Sequence, residues 1–195
     1  IMKKFLKIFL IAVALLSVAG IVVYLSLARM EDMEDLKEGD LLFQISKSAQ
    51  SPLIALATGS VYTHCGILVE KQGKWYVLEA TGPVKLTPLQ QWCDKGRFKH
   101  VISRRVLEKP IKIRYKQYLG QAYDWSFKFD NGKMYCSELI YEIYKKQFGI
   151  ELSKPRKIGD FNLLGMRKVM KRRGMDKEQL AVAPSDLLRS EYLLD

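Results

Sequence analysis

The stretch from Tyr62 to Thr81 commits this chain to an antiparallel sheet. Tyr62–Glu70 and Trp75–Thr81 are rich in β-branched, aromatic and aliphatic residues, and Lys71-Gln72-Gly73-Lys74 between them supplies a turn. A two-residue loop pairs Lys71 with Lys74, and a four-residue loop pairs Glu70 with Trp75. Both give one register, with Gly66 opposite Glu79 and His64 opposite Thr81. An odd loop count would flip one strand and break it. Side chains alternate along a strand, so Cys65, Ile67 and Val69 share a core face with Tyr76, Leu78 and Ala80. His64 and Glu79 lie on the other face as diagonal neighbours, about 7–8 Å apart by backbone and within reach of long side chains. A carboxylate there can orient an imidazole and stabilise its protonated form. A strand histidine is more often a surface or hydrogen-bonded residue, and Glu79 reads equally as a solvated edge charge. The only other histidine, His100, sits beside a basic turn and is the poorer candidate for a base.

A second informative stretch runs from Gly132 through Cys136 to Gly149. Leu139, Ile140, Ile143 and Tyr144 recur with helical spacing, and Gly149 offers a C-cap, which predicts a helix over Cys136–Phe148. Cys136 then lies in the first turn, where unpaired N–H groups and the helix dipole favour a thiolate, the form that attacks carbonyls. Against this stands the commoner fate of a lone cysteine, a buried structural residue. Cys65 reads as core. Cys65, Cys93 and Cys136 show neither metal-ligand spacing nor a disulfide framework.

The remaining elements are strands near Asp40–Ile45 and Val101–Val106 and helices near Ser51–Thr58 and Ile111–Leu119. With the hairpin and the Cys136 helix they give an α+β class, an antiparallel sheet packed on helices.

A strand His, an acidic residue on the next strand and a later Cys opening a helix form the papain constellation in permuted order. The sequence resembles the YiiX/YaeF-like permuted papain-fold family, relatives of the NlpC-type cell-wall peptidases. The matching pieces are Glu38–Phe43, Thr63-His64-Cys65-Gly66-Ile67, Val77-Leu78-Glu79-Ala80, Gly120–Phe127, Tyr135-Cys136-Ser137-Glu138-Leu139 and Pro184-Ser185-Asp186-Leu187. Together they span the chain from about Leu36 onward. The resemblance implies a circularly permuted papain-like fold with Cys136 as nucleophile, His64 as base and Glu79 as orienting group. It gives Tyr123 as an oxyanion donor or substrate wall, with a turn aromatic packed on the core as the equal alternative. No metal or organic cofactor is implied. The activity implied is that of a cysteine hydrolase acting on a peptide, amide or acylated small-molecule substrate. A thiol acyltransferase and a non-catalytic membrane-tethered lipid- or peptide-binding domain are the alternatives.

The first residues read as a membrane anchor. Lys3, Lys4 and Lys7 flank an uncharged apolar run, Ile8–Ala28. About 21 residues at 1.5 Å each reach roughly 30 Å, the thickness of a bilayer core. A secretory signal core is shorter, although Ser26-Leu27-Ala28 would serve as a cleavage site. Basic residues before the run and Glu31, Asp32, Glu34 and Asp35 after it orient the N-terminus inside. The expected organisation is an anchor over 1–28, an acidic linker over 29–36 and a catalytic domain over 37–195. It places a single-pass protein in a bacterial inner membrane with its domain on the periplasmic side.

The net charge of +11 comes largely from Lys109–Lys116 and Lys154–Arg173. Asn162–Arg173 alternates apolar and basic residues at rough helical spacing and reads as a solvated basic loop or helix, or, through Arg167–Arg173, as a contact for anionic lipid. Nucleic acid is excluded as a partner by the absence of a recognition motif and by the outward topology.

Overall fold

The computed structural model of the chain describes residues 2–28 and 35–194. In chain order its elements are helix α1 (Met2–Ala28), strand β1 (Leu41–Ser46), helix α2 (Ser51–Thr58), strands β2 (His64–Lys71), β3 (Lys74–Ala80) and β4 (Val84–Pro88), helix α3 (Leu89–Lys95), strand β5 (Gly96–Arg104) and helix α4 (Cys136–Phe148). The two-residue strands β6 (Arg156–Lys157) and β7 (Leu180–Ala181) flank α5 (Arg167–Arg173), and α6 (Pro184–Leu188) follows. The first five strands form an antiparallel sheet in the order β4-β3-β2-β1-β5.

The hairpin has the expected register, from Ile67 opposite Leu78 to Lys71 opposite Lys74. Cys65, Ile67, Val69, Leu78 and Ala80 lie in the main core with Leu139, Ile140, Ile143 and Tyr144 of α4. Tyr76, expected on that face, is only half-buried. Leu42, Leu68, Val77 and Val101 face the opposite side, where Trp92 and Cys93 of α3 cover them. Each fully buried aliphatic side chain stabilises by about 1.5–3 kcal/mol. Gly66 is required: a Cβ there would come within 2.4 Å of Val77 and 2.9 Å of the Leu78 carbonyl. The family-like Glu38-Gly39-Asp40 segment is structural. Gly39 has φ +99°, its amide bonds the Leu68 carbonyl, and its own carbonyl accepts from the Tyr144 hydroxyl at 2.6 Å, tying α4 to the start of β1. Asp40 takes Arg105 in a two-pronged pair at 2.9 Å on each oxygen.

Three expectations change. Ile111–Leu119 is not a helix. It is irregular up to a single 3-10 turn at Lys116–Tyr118, because side chains take its backbone groups: Ile113 N–H donates to Glu38 Oε1 at 2.8 Å, and Gln147 bridges both backbone groups of Arg114. The last strand of the sheet begins at Gly96 and ends at Arg104, not Val101–Val106. A bulge carrying Phe98 and Lys99 at positive φ separates the pair Gln44–Val101 from Ser46–Gly96. The segment Val84–Lys95 adds an unexpected strand and short helix, β4 and α3.

The apolar N-terminal run is helical over all 27 residues of α1. Among the described residues, no helix is long and apolar enough to cross a membrane. The transmembrane helix of the expected fold class is therefore met as a helix and not as a span. The acidic linker falls largely outside the described residues. In α5, Met170 and the preceding Met166 are buried in a small core with Ile158 and Ala181, leaving Arg167, Lys168, Lys171 and Arg172 exposed. Its apolar side thus faces the protein and not a lipid surface.

The start of α4 is held from two directions. Ser137 Oγ donates to the Val182 carbonyl at 2.7 Å, and Val182 N–H donates to the Tyr135 hydroxyl at 3.1 Å. Glu138 returns a carboxylate oxygen to the Tyr135 N–H at 3.3 Å, as in a capping box. Burial, followed by the charges of Asp124 and Glu142, pushes the Glu138 carboxyl up to about 8. A folded pKa above the unfolded value of 4.5 means stability is fully present below 4.5 and is lost as pH rises through 8. Glu138→Gln keeps the acceptor and removes the titration. Urea unfolding should find it within about 0.5 kcal/mol of wild type at pH 4.5 and more stable by roughly 4–5 kcal/mol at pH 9. An equal difference at both pH values would contradict the assignment.

Candidate active site

Cys136 is the first residue of α4 and His64 is the first residue of β2. The imidazole therefore stands at the end of the sheet, where the helix N-terminus arrives over Cys65. His64 Nε2 lies 2.7 Å from Glu79 Oε2, the diagonal cross-strand contact the register sets up. The Cys136 thiol is the other group that acts on the same ring, and with Nε2 taken by Glu79 the nitrogen left for it is Nδ1. Glu79 is 2 % exposed. It accepts two further hydrogen bonds, from the Thr87 hydroxyl at 2.6 Å and the Trp92 indole N–H at 3.0 Å. The Trp92 ring also leans on the imidazole, at 5.9 Å between centroids.

These contacts set the charges. Burial alone would lower the His64 pKa, but the hydrogen bonds and charges of Cys136 and Glu79 override it and raise the ring to about 10. A hydrogen bond from Cys65 is the largest influence on Cys136. With the pull of His64 it holds the Cys136 thiol well below its usual range despite burial. Burial opposes the charge on Glu79 too, and His64, Thr87 and Lys95 more than offset it. The resting pair is a thiolate and an imidazolium, with a carboxylate behind the ring. The thiol and the backbone N–H of Cys65 both act to lower the Cys136 thiol. Cys65 is thus a core residue, as expected, and a supporting donor, which was not expected. Burial raises its own thiol well above the ordinary value and raises that of Cys93 to about 11. All three cysteines are free. His100 is turned away from the site and stacks on Tyr62, whose hydroxyl lies 2.8 Å from its Nε2.

Tyr123 reaches the site through a parallel bridge to Met134, two residues before Cys136. It is 8 % exposed, and its hydroxyl accepts from Gln50 Nε2 at 3.1 Å, which leaves its own proton free to donate. Gln50 Oε1 in turn accepts from Arg173 at 3.2 Å, and that guanidinium lies over the Trp125 ring. His64, Tyr123, Gln50, Trp125, Arg172 and Arg173 all line a polar cleft of about 220 Å³. Thr87, Trp92, Gln50 and Arg173 were not legible as site residues. Thr87 is paired with Val77, diagonal to Glu79, so a fourth strand would have exposed it; the shortness of that strand and its terminal Pro88 hid it.

Replacing Glu79 with Gln keeps an oxygen for His64 and removes the charge that holds the ring protonated. Activity at neutral pH should fall roughly 10- to 100-fold. The wild-type rate should hold to about pH 10 and decline above it as His64 loses its proton; in the variant that decline should begin at a lower pH. A pH–rate profile with an unmoved alkaline limb would show that Glu79 does not act through His64.

Comparison with known proteins fits this geometry. Residues 35–194 match the model of a family described as permuted papain-like amidase enzymes, YaeF/YiiX, the C92 family. The chain is 42 % identical over 132 residues to the uncharacterized protein YiiX of Escherichia coli K12, an alignment covering 64 % of this chain and 65 % of that protein. A crystal structure of YiiX from Escherichia coli O157:H7, described there as a metalloprotein, superimposes with a TM-score of 0.74 at 36 % identity, over 81 % of this chain and 94 % of the other. On the match across residues 35–194, with Cys136, His64 and Glu79 assembled inside it, the chain belongs to the permuted papain-like amidase family, YaeF/YiiX.

Proposed function

We propose that this chain is a thiol-dependent amidase of the bacterial cell envelope, with Cys136, His64 and Glu79 as its catalytic triad. One observation carries the reading: a single imidazole lies between a thiol at a helix N-terminus and a buried carboxylate at 2.7 Å. The Cys136 thiolate attacks the amide carbonyl carbon. Its oxygen becomes an oxyanion, met by backbone N–H groups at the start of α4 and by the Tyr123 hydroxyl. The His64 imidazolium gives its proton to the departing nitrogen as the C–N bond breaks, and the amine leaves. Neutral His64 then takes a proton from water, whose oxygen attacks the thioester and frees the acid and Cys136. An acceptor amine or alcohol in place of water would make the same site an acyltransferase.

The metal named for the O157:H7 relative has no counterpart in this triad. Among the described residues no group of three or more His, Cys, Asp or Glu is placed to hold an ion, and the Glu79 oxygens and His64 Nε2 already bond each other, Thr87 and Trp92. These residues do not fit a metal, and no step runs through one.

The membrane anchor belongs to this proposal and rests on sequence: Lys3, Lys4 and Lys7 ahead of an uncharged run that continues from Ile8 through Ala28. Any contact of Arg167–Arg173 with anionic lipid would rest on charge alone. The test of the chemistry is acid quenching after mixing with an activated amide or ester. A thioester mapped to Cys136, cleaved by hydroxylamine, supports the amidase; product release without a Cys136 adduct and without dependence on Cys136 overturns it. For topology, protease should digest the domain in intact spheroplasts, and its protection would remove the envelope assignment.

A further inference from the structure

The polar cleft beside His64 carries one sign of charge. His64, Arg172 and Arg173 line it, and among the described residues no aspartate or glutamate does. Arg172 and Arg173 lie in the last turn of α5, where the helix dipole favours cations. The dipole does not account for where Arg173 is turned. This residue is half-buried, with its guanidinium carbon 5.3 Å from the centroid of Trp125 and 5.8 Å from that of Phe127. Its Nη1 donates to Gln50 Oε1 at 3.2 Å, and Gln50 Nε2 donates to the Tyr123 hydroxyl at 3.1 Å. One glutamine amide therefore separates the guanidinium from a tyrosine at the reacting centre. Stacking occupies the guanidinium faces and leaves its in-plane N–H fork for acceptors. Among the described residues, Gln50 is the acceptor that fork meets.

No carboxylate balances this charge. Among the described residues neither Arg172 nor Arg173 forms an ion pair. Burial pulls the Arg173 pKa below its ordinary value, with Tyr123 opposing that pull and Arg172 adding to it. An arginine keeps its proton all the same. The cleft thus holds a partly desolvated cation whose counter-charge is left for a ligand to supply. The chemistry decides which half of a substrate meets it. His64 protonates the departing group, so that group lies on the imidazole side, in the cleft that His64 lines.

We propose that this cleft is the leaving-group subsite, and that Arg173, backed by Arg172, selects substrates whose leaving half carries an oxyanion, a carboxylate or a phosphate. This rests on the thiol chemistry proposed above and names the substrate class of that site. The cleft, at about 220 Å³, exceeds the roughly 150 Å³ of a cavity that takes a benzene ring, so an aryl leaving group serves as a probe.

The test uses four phenyl acetates that share one acyl half and differ in the para substituent of the leaving phenol: carboxylate, phosphate, carboxamide or trimethylammonium. The Cys136 sulfur bonds the acetyl carbon, the ester C–O bond breaks, and the phenol leaves with the proton of His64. The initial burst of phenol gives the acylation rate, and peptide mass mapping locates the acetyl group. Each rate is divided by that of β-mercaptoethanol with the same ester, which removes the intrinsic reactivity of the leaving group. The better of the two anionic esters should exceed the carboxamide by about tenfold, as for a charge-assisted hydrogen bond, and the trimethylammonium ester should be slowest. Which anion is faster identifies the oxyanion. Arg173→Gln should lower the anion-to-carboxamide ratio by about threefold or more, and Arg173→Lys, which keeps the charge and loses the fork, should retain part of the preference. The ratio is the readout because Gln50 also holds Tyr123. Similar normalised rates for all four esters, or the fastest for trimethylammonium, overturn the oxyanion subsite and leave the thiol chemistry standing. A ratio unmoved in Arg173→Gln overturns selection by Arg173. Failure of every ester to acetylate Cys136 overturns the amidase reading itself. The wild-type series decides for or against the oxyanion even if the variants do not fold.

Discussion

Cys136→Ser is expected to lose on the order of 10⁴–10⁶-fold in kcat/KM with no loss of fold. The side chain is small, nearly isosteric, and sits at the first position of α4, where a hydroxyl costs little. The loss comes from the nucleophile. The site depresses a thiol by a hydrogen bond from Cys65 and by the charge of His64. The same influences leave a serine hydroxyl protonated at any accessible pH, and no thioester forms. Stopped-flow acylation and circular dichroism read the two halves of this expectation. A variant with more than a tenth of wild-type activity would remove Cys136 from the chemistry.

His64→Ala is expected to cost a similar factor, because the imidazole acts twice, holding the thiolate and protonating the leaving nitrogen. The two roles separate by substrate. A p-nitrophenyl ester, whose leaving group needs no proton, should recover part of the loss at pH 9–10, where the unassisted thiol ionises; an unactivated amide should not. Equal losses for both at every pH would point to a general structural defect. Glu79 would be left buried against Thr87 and Trp92 without its cationic partner, so some loss of stability accompanies the change. Chemical denaturation should therefore be measured beside the kinetics.

How much of this was legible in the sequence follows from what sets each element. The hairpin register followed from the period of two and a short turn, and it alone brings His64 and Glu79 together. The α4 boundaries, Cys136 and Phe148, followed from an apolar helical period ending at Gly149. Sequence could not place Thr87 and Trp92. They lie on a five-residue strand and a seven-residue helix, too short for any period to declare itself, and the strand ends in proline. The 111–119 segment failed for another reason. Its apolar spacing allowed a helix, but Glu38 and Gln147, distant in sequence, claim its backbone groups. Cys65 was legible as core, yet its support of the Cys136 sulfur depends on where α4 lands on the sheet.

The most direct measurement is the rate of alkylation of each cysteine by iodoacetamide across pH 4–11 in the native domain, with the adducts mapped by peptide mass. Cys136 is expected to react first at every pH, at a rate nearly flat through the neutral range, while Cys65 and Cys93 stay unmodified until the domain unfolds. In His64→Ala the Cys136 rate should instead climb with pH, its midpoint raised from that of wild type because only Cys65 remains to oppose the effect of burial. Faster modification of Cys65 or Cys93 than of Cys136 near neutral pH, or a Cys136 profile unchanged by loss of His64, would contradict an imidazole-activated nucleophile at the start of α4.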